Sequence, residues 1–191
     1  MNKQPIKKHP TVGACGLNCG LCPRHYSKGA SRCPGCSGPA FFTIHPECAF
    51  ITCCVKKHGL ETCAVCPESA GCERVAKLFD SAKKGDSFIS YKPIPDNYAS
   101  IRKNGVAEFV RVQNEKETLL QYLLDNYDEG RSKSFYCISL QLLPLPELKK
   151  AVSTAEAKLA SITDIKEKTK LMRQAISVLA DSLKIDLKLR K

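Results

Sequence analysis

The chain has no tryptophan and two methionines, and its aromatic residues amount to 7%. Stacking recognition of nucleic acid needs exposed rings. Only Tyr26, Phe41, Phe42 and Phe50 lie in the first third, where "AFF" reads as core. No apolar run reaches the roughly 18–20 residues of a membrane span. The basic start, "MNKQPIKKHPTVGAC", has no apolar stretch behind it, so it does not read as a secretory signal. A serine–histidine–carboxylate set, a glycine-rich phosphate loop and a spaced carboxylate pair are all missing. "DNYDEG" has too few suitably spaced oxygen ligands for a calcium loop. These absences predict a cytoplasmic protein with no membrane partner, and they leave open whether it is an enzyme.

Acidic residues are also scarce, 19 against 30 basic ones, for a net charge of +11. About half of that excess falls before Val75. A four-thiolate metal centre is itself negative, so two such centres would cancel about four nearby positive charges. The basic first half therefore reads first as compensation for bound metal and only second as a nucleic-acid footprint.

Cysteine is the residue in surplus. There are twelve, and all but Cys137 lie between Cys15 and Cys72. That stretch is rich in Gly and Pro and poor in long apolar runs, so it needs a staple in place of a large core. In a reducing compartment the staple is metal or redox chemistry; disulfides would be favoured only in a secreted protein. Three Cys-x-x-Cys pairs occur, Cys19/Cys22, Cys33/Cys36 and Cys63/Cys66. Each aims two thiols at one point and frees backbone amides to bond the sulfurs. Cys15, Cys48, Cys53 or Cys54, and Cys72 can complete the sets. The candidate metal ligands are thus Cys15, Cys19, Cys22, Cys33, Cys36, Cys48, Cys53, Cys54, Cys63, Cys66 and Cys72. His25, His45 and His58 are minor candidates.

Two metals fit. "CPGC" looks like a zinc knuckle. "CGLNCGLCP" has Cys-x3-Cys-x2-Cys followed by Pro, and Cys-Pro recurs at Cys66-Pro67, a feature of bacterial-type iron–sulfur ligation. Radical S-adenosylmethionine enzymes share that first spacing. They set the loop in a large α/β barrel, for which this chain has neither the length nor the βα alternation.

The chain reads as four stretches: a flexible basic arm (1–12), a cysteine-rich metal-binding module (13–85), a connector and helical region (86–150) and a C-terminal helical hairpin (151–191). The expected fold is a small metal-stapled module, irregular with short helices, followed by a mainly α-helical part. A helix begins near Cys72, with Val75, Leu78 and Phe79 on one side and Gly85 beyond its end. Pro93 and Pro95 predict an extended connector, and Ser100 caps a short helix after it. Leu119, Leu120, Leu123 and Leu124 form an apolar stripe. An apolar helix around Cys137 stops at Pro144, and Pro146 starts the next. Ile165, Thr169, Met172, Ile176, Leu179 and Leu183 then step by four and three, opposite Val152, Ala155, Leu159 and Ile162. Thr163 is the expected cap of that last helix, and "KIDLKLRK" reads as a frayed tail.

The cysteine segment resembles a family of small prokaryotic proteins called domain of unknown function 3795. The shared elements read here "CGLNCGLCP", "CPGC", "PEC", "CCVKKHGLETCAVCP" and "GCERVAKL", from Cys15 to about Leu78, and "FYCISLQLLP" follows as in longer members. Two departures stand out. Adjacent Cys53 and Cys54 divide the family spacing between them, and Cys72 lies one residue farther from Cys66 than usual. The resemblance implies no established activity. The family is most common in anaerobes, which tilts the choice toward iron.

The leading expectation is an iron–sulfur protein with one or two [4Fe-4S] clusters, an electron carrier or accessory redox protein that docks a protein redox partner. The alternative is a zinc-stabilised module recruiting protein or nucleic acid. A homodimer through the C-terminal helices is a further option. A thiol enzyme using Cys137, near Arg131 and Lys133, is the weakest reading, since a lone Cys on an apolar helix is usually a small buried hydrophobe.

Overall fold

Helices carry the regular structure of this computed structural model, which describes residues 6–189 and has no strand among them. The first third is a chain of short turns: single 3-10 turns at Cys19–Leu21, Gly29–Ser31 and Cys63–Val65, a short helix α1 (Phe41–Ile44), a π-helical turn at Ile51–Lys57 and a 3-10 stretch at Pro67–Gly71. Longer helices follow: α2 (Glu73–Lys84), α3 (Ile94–Tyr127), α4 (Lys133–Leu142), α5 (Leu145–Leu159) and α6 (Ile165–Ser182).

Several sequence expectations match this layout. Helix α2 ends at Gly85. Helix α4 ends at Leu143, ahead of Pro144, and Pro146 sits in the first turn of α5. Helices α5 and α6 pack as the predicted hairpin, burying Val152, Ala155 and Leu159 against Thr169, Met172 and Ile176.

Five expectations are corrected. The connector is not extended: α3 already starts at Ile94, with Pro93 as its cap residue and Pro95 in its first turn. Proline is tolerated there because a first-turn N–H has no intrahelical acceptor in any case. Ser100 therefore lies inside the helix, which is broken only at Gly105 (φ 83°, ψ 165°). The cap of α6 is Asp164, not Thr163; its carboxylate accepts from Glu167 N–H at 2.8 Å. The tail is not wholly frayed, because Ile185 and Leu187 pack on the helical core.

The fifth correction concerns the arm. From Ile6 on it is tied down; residues 1–5 lie outside the described residues. Ile6 N–H donates to Ser37 O at 3.0 Å, and Lys7 Nζ reaches Glu61 O and Oε2 at 3.0 and 3.1 Å. Val12 is a core residue. Desolvation alone would raise the Glu61 carboxyl, but the Lys8 N–H and the Lys7 ammonium outweigh it and hold it below the usual carboxylate range. A buried lysine demands such a partner.

Two hydrophobic cores result. One gathers Leu120, Leu123, Tyr136, Leu140, Leu148, Met172 and Ile176 from α3 to α6. The other gathers Val12, Ala14, Cys36, Ile51, Cys54, Cys63 and Val75 around Ile94, Tyr98, Ile101 and Phe109 of α3. Helix α3 thus serves both, its first part facing the cysteines and its last part the helices. Leu21, from the Cys19–Leu21 turn, is wholly buried in the helical core.

Candidate metal centre

The eleven clustered thiols fall into two groups, and none forms a disulfide. The first group comes from the loops between Ala14 and Cys48. A charge on Cys36 or Cys48 is felt at Cys15, and Cys19 responds to Cys36, Cys15, Cys22 and Cys33. The second group lines a cavity of about 400 Å³ with Cys53, Cys54, Cys63, Cys66 and Cys72, beside His58 and Val75.

Local backbone explains how so many sulfurs face one way. Gly16 adopts φ +84°, and a Cβ there would meet Tyr98 Cε2 at 2.6 Å. Gly35 adopts φ +87°, and a Cβ there would meet Pro10 O at 2.5 Å. Only glycine suits both the left-handed turn and the close approach. Backbone N–H groups then point at sulfur. Ala14 N–H donates to Cys36 Sγ at 3.2 Å, Leu17 N–H reaches Cys15, and the N–H groups of Arg24 and His25 reach Cys22. In the second group the π-helical turn sets Cys53 and Cys54 side by side at the cavity, a distortion frequent at functional sites. Cys54, the more buried, donates to Leu60 O at 3.5 Å and bonds Cys63.

Burial pushes the Cys15 thiol up to about 12, aided by Cys36 and Cys48. Burial raises Cys19, Cys22 and Cys36 as well. Cys63 is raised first by its bond to Cys54, then by burial. Without a counter-charge these thiols stay protonated, since adjacent thiolates in a poorly solvated site repel. Cations stand ready nearby: Lys7 eases ionisation of Cys36, Arg24 that of Cys22 and Arg74 that of Cys63.

The histidines divide. His45 Nε2 lies 3.2 Å from Cys33 Sγ, and its ring stacks on Phe41. His25 Nδ1 bonds the backbone of Cys33 at 3.0 Å, and His58 lines the second cavity. Phe42, expected in the core, is exposed, with Lys56 Nζ 4.9 Å above its ring. Cys137 is fully buried in the helical core, and burial raises its thiol, with Cys22 close enough to add to the effect.

Residues from beyond the module hold the loops. Asn97 Nδ2 donates to Gly16 O and Asn18 Oδ1, both at 2.8 Å. Arg102 reaches Ala64 O at 3.3 Å and Ser69 Oγ at 3.0 Å. Gln141 joins Ser90 N–H at 2.8 Å to Leu21 O at 2.9 Å. Tyr98 stands between the groups: Cys63, Cys15 and Cys54 all act on its buried hydroxyl, which in turn favours the ionised form of Cys63. Sequence reasoning passed over all four, because a polar residue on a helix carries no mark of a loop between 33 and 120 positions away.

Among the described residues, no three His, Cys, Asp or Glu side chains converge closely enough to hold a single metal ion. No described helix is long and apolar enough to cross a membrane. Compared with protein-family models, characterised proteins and solved structures, the chain matches none.

Proposed function

We propose that the protein is an iron–sulfur protein with two cysteine-held centres, most simply [4Fe-4S] clusters, serving as an electron carrier or accessory redox protein. The observation that carries this reading is the five-thiol cavity of about 400 Å³, assembled from three separate segments. A single zinc ion needs four ligands about 2.0–2.3 Å from one point. Five thiols around one cavity exceed the four that a single zinc ion takes, and about 400 Å³ leaves room for a larger inorganic body. Four of Cys53, Cys54, Cys63, Cys66 and Cys72 would hold one cluster, and four of Cys15, Cys19, Cys22, Cys33, Cys36 and Cys48 would hold the other.

A bound cluster would supply one-electron transfer. The chain's own part is to bond sulfur with Ala14, Leu17, Arg24 and His25 N–H groups, to exclude water with Ile51, Val75 and Tyr98, and to balance charge with Lys7, Arg24 and Arg74. Such hydrogen bonds, charge and burial set a cluster's potential. Tyr98, between the two groups, is placed to control the dielectric between them.

The knuckle Cys33-Pro34-Gly35-Cys36, with its N–H bond to sulfur, keeps zinc as the second reading for the first group. One preparation separates the readings. Protein purified without oxygen should be brown, contain iron and acid-labile sulfide, and bleach with dithionite. Colourless protein with stoichiometric zinc would replace this proposal with the second.

A further inference from the structure

The side of the molecule formed by the turn after α3 and one face of α6 encloses a cavity of about 560 Å³, lined by Glu129, Arg131, Lys166, Thr169, Lys170 and Arg173. Lys166, Lys170 and Arg173 are spaced by four and three and so share a helix face. Arg131, from the turn after α3, joins them in the lining. Among the described residues none of these four cations closes an ion pair within 4 Å.

The cavity is built rather than merely bordered. Arg173 is fixed by stacking over Phe135, 4.8 Å from guanidinium carbon to ring centre, and by donating to Ser132 Oγ at 3.2 Å. Ser132 in turn donates to Glu129 Oε2 at 2.8 Å, and Thr169 Oγ1 donates to Tyr127 O at 2.8 Å. Glu129 offsets one charge of the four, leaving the concavity with about three in excess. Like charges held around one hollow repel. An oxyanion would turn that repulsion into attraction and accept charge-assisted bonds from two guanidinium groups.

We infer that this cavity binds the phosphate of a small phosphorylated molecule. The volume falls within the roughly 300–1,000 Å³ of small-ligand pockets. The site is a hollow rather than a strip, and the lining offers no aromatic face for a base to stack on. It draws on none of the thiols, so it stands whether or not they hold metal.

Titration calorimetry of the full chain with phenyl phosphate, which chelates metal poorly, and with inorganic phosphate tests the assignment. Binding should weaken about tenfold or more in Lys166→Gln/Lys170→Gln, a change at two exposed positions, as expected for lost charged hydrogen bonds. It should tighten in Glu129→Gln and weaken as salt rises. Inorganic phosphate binding as well as the ester would confine recognition to the phosphate itself; the ester binding better would add the ester's own body. No heat at millimolar concentrations of either probe overturns the inference, as does equal affinity in the double variant. Tighter binding of duplex DNA than of either probe, lost in the same double variant, would assign the face to nucleic acid instead.

Discussion

Beyond Gly105 the buried positions are Leu120, Leu123, Leu140, Leu148, Met172 and Ile176, long aliphatic side chains on packed helices. In the cysteine segment they are mostly short side chains on turns, Val12, Ala14, Cys36, Cys54, Cys63 and Ala64, with Ile51 the exception, and the larger bulk of that core, Ile94, Tyr98 and Ile101, comes from α3. Both regions exclude water, but the second has little apolar bulk per residue with which to offset the entropy of ordering its loops. Its surplus is in sulfur. The difference sets a helical half with a full apolar core beside a cysteine half in which, on the proposed reading, bound metal would add the stability that apolar bulk does not.

Metal removal should separate the two regions most widely. Anaerobic chelation is expected to abolish amide-exchange protection from about Val12 to Val75 while α4, α5 and α6 keep theirs; equal protection before and after would break the contrast. Next in size, Leu140→Ala or Leu148→Ala should cost about 2–5 kcal/mol in urea unfolding of the helical half, with metal content unchanged. Both leucines are wholly buried. Gly16→Ala should cost about 1–3 kcal/mol through its left-handed backbone, beyond any clash with Tyr98. It should lower metal content in the first group by direct elemental analysis. A normal metal load in that variant would mean that Tyr98 yields without consequence.

The smallest effect concerns the Lys7–Glu61 pair. Glu61 has its folded pKa held below the unfolded value. Its contribution is therefore complete above the ordinary carboxylate range and is lost as pH falls through and below it. Wild type should show that acid-side loss, and Glu61→Gln should flatten it, as measured by thermal unfolding at a series of pH values.

Much of the helical half was legible in the sequence, because a repeat of four and three is itself a statement of which faces touch. Ile165 to Leu183 and Val152 to Leu159 could be paired on that basis. Pro93 and Pro95 misled because proline breaks a helix only after its first turn, and Ser100 misled because a residue that favours caps is still tolerated inside a helix that packing holds. In the cysteine half the thiols announced themselves, but their partition did not. Spacing says that Cys33 and Cys36 act together; only the folded chain places Cys48 with Cys15 and Cys36, and Cys72 with Cys54 and Cys63. The contacts of Asn97, Arg102 and Gln141 were hidden for the same reason, since long-range hydrogen bonds leave no periodic trace.

The left-handed residue at position 105 has a practical meaning for anyone handling the protein. It breaks a long rod a turn or so before the last α3 residues, Phe109 and Val110, that pack on the cysteine side, so if the cysteine half is metal-dependent, a metal-stripped preparation should be trimmed by protease to the neighbourhood of that joint. The surviving fragment, about residues 106–189, would be a ready-made host onto which other cysteine-bearing turns could be grafted.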